Sequence, residues 1–174
     1  TLVYKDKKYT MDELITALDA DWVGYETMQQ TCINQVPKYG NDNDYADGWV
    51  ATVQNIWYDA IDRCNLNRAN FPEYGGYFRG GSCLGNSAAS AGMSVCALPD
   101  GFKKGTPLAD AMSPTQGRDV NGTTAVLKSQ SKLPSSRFEM GTLLNQRFSP
   151  QLLTSDEDVD RFVDDLRAFE ALGA

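Results

Sequence analysis

The sequence predicts an α/β fold, rich in helix, with short strands and long loops of glycine and proline. Three observations predict it. Capping-box spacings stand in front of apolar runs near both ends of the chain. A run in the middle steps apolar residues by three and four, the period of one helix face. Between residues 70 and 105, glycines fall among small and aromatic residues around one compact apolar stretch, a pattern of loops and short strands.

Taken in order, Thr10 stands three residues before Glu13, and Leu14, Ile15 and Leu18 supply an apolar face, so a helix begins near Met11. Gly24 interrupts it. A second amphipathic stretch runs through Met28, Cys32 and Val36, and Pro37, which has no N–H to donate, stops it. PKYGNDND follows as a loop. From Asp44, the series Trp49, Val50, Val53, Ile56, Trp57, Ala60, Ile61 and Cys64 predicts a helix of several turns with this face buried. In the glycine-rich stretch, MSVCAL (93–98) is the strand candidate. Residues 124–127 begin a helix, with Asp119 and Thr123 available as caps and no stop before Pro134. After Pro150, Thr154 and Glu157 have capping-box spacing, and Val159, Phe162, Val163, Leu166, Phe169 and Leu172 form a stripe ending at Gly173. The chain stops where another strand is expected. No repeat or low-complexity linker divides it.

Composition narrows the function. Sixteen Lys and Arg against 23 Asp and Glu give a net charge of −7, which disfavours tracking of phosphates, so no nucleic-acid partner is expected. No signal peptide or membrane span is visible, and a cytoplasmic address follows as the expectation. Cys32, Cys64, Cys83 and Cys96 form no CxxC pair, and with no histidine in the chain no metal site is expected; the thiols read as reduced and mostly buried. The lack of histidine also removes the usual general base of serine and cysteine hydrolases.

Short motifs add little. The run Asn41-Asp42-Asn43-Asp44 resembles the start of a calcium loop, but Ala46, Asp47 and Val53 stand where the later ligands and the glycine belong, leaving a polar turn with a helix cap. Gly76 and Gly81 have P-loop separation, yet Ser82 replaces the lysine that reaches the phosphates. Lys103 and Lys104 in GFKKG form a solvated turn or an anion contact. Arg79 pairs with a structural carboxylate or clamps a substrate carboxylate.

Four longer stretches carry more: PKYGNDNDYAD (37–47), ALPDGFKKGTPLAD (97–110), SPTQGRDVNGTTAVLKSQSKL (113–133) and TLLNQRFSP (142–150). Together, and in this order, they resemble the glycyl radical enzymes, the relatives of pyruvate formate-lyase, over nearly the whole chain. The resemblance implies a ten-stranded α/β barrel around a buried radical site, anaerobic chemistry, and a small-molecule substrate from which a cysteine thiyl radical abstracts hydrogen. It implies that the thiyl is generated by a glycyl radical, itself installed by a radical S-adenosylmethionine iron–sulfur activase.

Neither radical residue is visible in these 174 residues. Cys96 is followed by Ala97 and Leu98, and Cys83 by Leu84 and Gly85, unlike the family's cysteine loop; no Arg-Val-x-Gly-Tyr-like motif occurs. Residues 1–174 are therefore expected to be a barrel fragment lying between the cysteine loop and the glycyl radical domain, inactive alone, with the remainder of the enzyme as partner and the parent a homodimer or larger. No catalytic residue is assigned. By resemblance the stretch after PLAD approaches the cavity, making Ala111, Met112 and Ser113 the candidate substrate-lining residues.

Two positions depart from the family pattern: Phe102 where Asp-Gly-Arg is usual, and Thr123 where Gly-Pro-Thr-Ala is usual. The wording of 113–133 places the parent on the side of the arylacetate decarboxylases and arylalkylsuccinate synthases. The alternatives are a glycerol or diol dehydratase, an amine lyase, or a non-catalytic complementing fragment.

Overall fold

The computed structural model describes residues 1–82 and 87–173. Among these it forms helices α1 (Met11–Asp19), α2 (Glu26–Asn34), α3 (Asp44–Arg68), α4 (Ala88–Ser94), α5 (Thr123–Ser131) and α6 (Asp156–Ala171). The chain divides into two compact units, Thr1–Pro37 with Leu84–Ala109, and Lys38–Cys83 with Asp110–Ala174.

In the first unit α1 starts at the expected box: the Glu13 amide donates to Thr10 Oγ1 at 3.2 Å and the Thr10 amide donates to Glu13 Oε2 at 2.8 Å. After α1 the chain turns through two left-handed residues, Asp21 (φ 49°) and Trp22 (φ 66°). This conformation costs about 1–2 kcal/mol per residue. Burial of Trp22, 0% exposed among Leu2, Ala17, Met28, Cys32 and Ala97, offsets it by about 3 kcal/mol. Its indole N–H donates to the Phe102 carbonyl at 3.0 Å, so the ring is both buried and satisfied.

That bond ties GFKKG to the core. Gln29 Nε2 donates to the Gly101 carbonyl at 2.8 Å. Gly101 has φ 94°, and a Cβ there would meet Ile33 Cδ1 at 2.9 Å, so only glycine fits. Phe102 is itself buried. The anchoring bonds from Trp22 and Gln29 run to the backbone carbonyls of Phe102 and Gly101, not to side chains. The Lys104 amide donates to Asp21 Oδ1 at 2.8 Å, which makes GFKKG a tied turn.

The strand expected at MSVCAL does not form. Met93 and Ser94 end α4, continuing the Ala- and Ser-rich turn before them, and Val95, its C-cap, is extended without pairing to a strand. The Leu98 amide bonds to the Phe102 carbonyl at 3.1 Å, closing a turn instead of pairing with a strand.

In the second unit Asn43 caps α3 by accepting from the Ala46 amide at 3.2 Å. The helix lies where the periodicity puts it, but only Val50, Ala60 and Ile61 of the predicted face are even half-buried. Asp47 and Tyr58 are its buried residues, with Val50, Ala51 and Ile61 packed against a core of Tyr58, Met112, Leu133 and Phe138. Trp49, Val53, Ile56, Trp57 and Cys64, expected inside, are exposed. The buried sides of α3 therefore carry more polar character than its outer side.

α5 is capped by Gly122 (φ 84°) and not by Asp119 or Thr123, the latter being its first residue. α6 uses Ser155 and Asp158, one residue beyond the expected pair, because Ser155 is the extended residue whose oxygen meets the Asp158 amide. Thr124 Oγ1 donates to Asp165 Oδ1 at 3.1 Å and joins α5 to α6. Of the α6 stripe, Phe162, Val163 and Phe169 are half-buried while Val159, Leu166 and Leu172 stay exposed.

Strand content among the described residues is one parallel bridge, Ser82 to Thr142, with the Ser82 amide donating to Gly141 at 3.1 Å and the Leu143 amide to Ser82 at 3.0 Å. Helix dominates, and the short strands predicted are otherwise turns. Cys32 is buried, but Cys64 and Cys96 are exposed free thiols, correcting the mostly buried expectation; Cys83 lies outside the described residues. Among the described residues no helix is long and apolar enough to cross a membrane.

Replacing Trp22 with alanine removes a large core side chain and leaves the Phe102 carbonyl short of a donor. Chemical denaturation should show a loss of about 4 kcal/mol. A loss under about 1 kcal/mol would contradict this packing account.

Candidate functional site

Residues 37–47 form the hub of the second unit. Gly40 has φ 92°, and a Cβ there would stand 2.8 Å from Pro114 Cβ, so the backbone of 37–47 presses directly onto SPTQG. Asn41 then fastens the following loop. Its Oδ1 accepts from the Val120 and Asn121 amides at 2.9 and 3.1 Å, and its Nδ2 donates to the Arg118 carbonyl at 2.7 Å and the Lys38 carbonyl at 3.2 Å. One amide side chain thus satisfies backbone groups that an irregular loop would leave unpaired.

Three carboxylates from the same segment meet one ammonium. Lys132 Nζ lies 2.7 Å from Asp42 Oδ1, 2.7 Å from Asp44 Oδ1 and 3.0 Å from Asp47 Oδ2. Asp47 is 0% exposed and also accepts from Ser129 Oγ at 3.0 Å, while that hydroxyl accepts from the Asp42 amide at 2.9 Å. The bonds from Lys132 hold the Asp42 carboxyl below its ordinary value. Burial works against the charge on Lys132, but its bonds to Asp42, Asp44 and Asp47 win and raise it above the usual lysine range. The acidic residues of this segment are thus answered by a lysine. Among the described residues no group of three or more His, Cys, Asp or Glu side chains is arranged to hold a metal ion.

The three candidate lining residues sit on a strap held by the same hub. Ala111 is left-handed (φ 49°), Met112 is buried, and Ser113 is half-buried. The Tyr39 hydroxyl lies 3.0 Å from the Met112 carbonyl and 2.8 Å from Gln130 Oε1, and its one proton serves either acceptor. Burial, then the charge of Asp47, pushes that hydroxyl well above the ordinary phenol range, so it stays a donor. The Met112 amide donates to the Leu143 carbonyl at 3.1 Å, Gln54 Nε2 donates to Met112 Sδ at 2.8 Å, and Ser113 Oγ accepts from the Asn145 amide at 2.8 Å. The strap is therefore rigid. Buried Gln54 Oε1 and Asp110 Oδ1, on residues flanking it, have no hydrogen-bond partner among the described residues.

A second cation, Arg137, pins residues 134–138 to α3. It donates to Asn55 Oδ1 at 3.0 Å, Asp59 Oδ1 at 2.8 Å and Asp62 Oδ2 at 2.7 Å, and its guanidinium lies 5.3 Å from the Tyr58 ring centroid. Sequence reasoning missed both Lys132 and Arg137. The available signal for Arg137 was the spacing of Asn55, Asp59 and Asp62, which puts three acceptors on one helix face. Arg79 takes the structural alternative, 3.8 Å from Glu139 and stacked 4.7 Å from the Tyr77 ring centroid.

Among the described residues, the one hydroxyl bonded to a carboxylate in this hub, Ser129 on Asp47, is buried and ties α5 to 37–47. The hub positions backbone and excludes motion. Comparison with known proteins gives that arrangement its context: residues 1–78 match the family described as Pyruvate formate lyase-like, and residues 108–173 match the family described as Glycine radical. The chain belongs to the glycyl radical enzyme family. It is 35% identical to trans-4-hydroxy-L-proline dehydratase of Clostridioides difficile, over 96% of this chain and 20% of that protein. It is 30% identical to indoleacetate decarboxylase of Tractidigestivibacter scatoligenes, over 99% of this chain and 21% of that protein. A solved glycyl radical relative, the glycerol-bound B12-independent glycerol dehydratase of Clostridium butyricum, superposes with a TM-score of 0.90 at 32% identity, covering 100% of this chain and 21% of its own. The chain thus spans about a fifth of the length of these glycyl radical enzymes. The hub joins segments from the two family matches: 37–47 lies in the first, and 113–133 in the second.

Lys132→Met leaves Asp47 buried and short of its cation, and should lower stability at pH 7 by about 3 kcal/mol. The sign with pH follows from the shifts. Asp42, depressed when folded, contributes stability that is present above about pH 4 and lost as pH falls through its lowered value. Lys132, raised when folded, contributes stability that is present below about pH 10 and lost as pH rises past it. Denaturation midpoints across pH should therefore differ most between wild type and variant on the plateau and converge at both extremes. A constant difference at every pH would contradict the assignment.

Proposed function

We propose that residues 1–174 are part of an anaerobic glycyl radical lyase acting on a small organic substrate by thiyl-radical hydrogen abstraction. The observation that carries this is the pair of family matches on one chain, with a solved relative superposing over all of it. The thiyl cysteine and the radical glycine lie outside these residues, so this segment supplies structure and no reacting atom. Residues 1–78 belong to the barrel part, and 108–173 to the part that leads toward the radical glycine.

Ala111, Met112 and Ser113 form the proposed cavity wall, working through a rigid backbone. Two supports are the number of bonds that hold the strap and the unpartnered buried oxygens of Gln54 and Asp110 beside it. A radical intermediate is protected by walls that do not yield and that keep water out. The glycyl radical of the parent would be installed by a radical S-adenosylmethionine activase, the proposed partner besides substrate and the remaining enzyme. The parent is proposed to be cytoplasmic and a homodimer or larger.

The arylacetate decarboxylase or arylalkylsuccinate synthase side of the family is retained as the reaction type on the sequence of 113–133; the likeness to indoleacetate decarboxylase at 30% stands beside one of 35% to trans-4-hydroxy-L-proline dehydratase. The full-length protein, purified without oxygen and treated with its activase, should show a glycyl radical signal by electron paramagnetic resonance and release carbon dioxide from an arylacetate. Absence of the radical signal would remove the function. A radical enzyme that loses water from a diol, and leaves arylacetates untouched, would replace decarboxylase by dehydratase.

A further inference from the structure

The outer face of α3 contradicts what a helix at the surface of a free-standing unit should show. Trp49, Val53, Ile56 and Trp57 are 60%, 63%, 61% and 46% exposed, and Cys64 continues the same line. At 3.6 residues per turn these positions fall on one stripe about 22 Å long. The other sides of the helix hold Asp47, Gln54, Asn55, Asp59 and Asp62, each in a hydrogen bond or ion pair within the second unit. Polar groups face those partners, and two tryptophans face out.

We propose that this stripe is a packing seam covered by a segment of the same polypeptide that lies outside residues 1–174. The inference rests on the reading that the chain is part of a longer enzyme, and it names which surface meets the rest. Two arguments select this occupant over a second copy. The four large side chains expose roughly 450 Å² together, well below the roughly 800 Å² per partner of a stable intermolecular interface. Covalent connection removes the translational cost that such a small contact would otherwise have to overcome. Its shape agrees, because a narrow, straight row of aromatic and β-branched residues fits the groove of one neighbouring helix. The length agrees as well: relatives that contain this segment in the same backbone conformation are about five times as long, so ample chain exists to cover it.

Cys64 is a built-in probe of the seam. In the full-length native protein, site-resolved maleimide labelling should find Cys64 roughly 100-fold slower than in the denatured protein. In a second full-length preparation, Trp57 is replaced by photoreactive benzoylphenylalanine. Mixed light and heavy isotope-labelled copies should then crosslink within one chain, to peptides outside residues 1–174. Labelling of native Cys64 at the denatured rate would overturn the seam. So would crosslinks between light and heavy copies, which identify a second copy, or crosslinks confined to residues 1–174. A protein that protects Cys64 but never forms the glycyl radical would remove the proposed function and leave the seam standing.

Discussion

A carboxylate with no access to water, Asp47, sets the condition that the second unit must meet. Charge buried to that degree is costly unless it is paired and hydrogen-bonded at once. Ser129 of α5 and Lys132, the residue just past its end, meet that condition at Asp47 Oδ2, while the buried Oδ1 has no hydrogen-bond partner among the described residues, and they do so only when 37–47 and 113–133 are in contact. Every neighbouring feature follows from that closure. Gly40 presses on Pro114, Asn41 closes the 118–121 loop, and Tyr39 reaches the Met112 carbonyl. The elaborate loop from 113 to 122 is thus ordered by polar groups from a distant segment and not by a core of its own.

This arrangement agrees with the proposal that the reacting atoms lie elsewhere. Nothing in the hub has the geometry of a proton shuttle, and the most perturbed groups are shifted away from neutrality: Asp42 down, Lys132 and Tyr39 up. Each therefore keeps one protonation state through the physiological range. If 111–113 wall a radical site as proposed, that constancy serves it, because a group that changes charge near pH 7 would bring water and protons with it.

Helix positions were legible in the sequence because caps and periodicity are local. Thr10 and Glu13 start α1 as expected, and the stepping of Trp49 to Cys64 locates α3. Which way α3 faces was not legible. Periodicity shows that a stripe wants burial but not what buries it, and in α3 the polar face won the inner position through Asp47, Arg137 and their partners. MSVCAL failed for a related reason: an apolar run becomes a strand only beside another strand, and the α4 residues before it carry it into a helix end. The ion pairs were hidden by distance, since Lys132 stands 85 residues from Asp47 and Arg137 stands 78 from Asp59. The long motifs carried the family, while the bonds that tie the strap at 111–113 to Tyr39, Gln54 and Asn145 join residues too distant in sequence to be read from it.

The central claim is that the buried Asp47 pair and the loop contacts form one cooperative hub. Amide hydrogen exchange at Asp42, Met112, Val120 and Asn121 tests it most directly, compared between the wild-type protein and its Lys132→Met variant. A single hub predicts that protection falls at all four amides together, including the two held by Asn41 that never touch Lys132. If exchange rises at Asp42 alone while Val120, Asn121 and Met112 keep their wild-type protection, the contacts are independent and the account is contradicted.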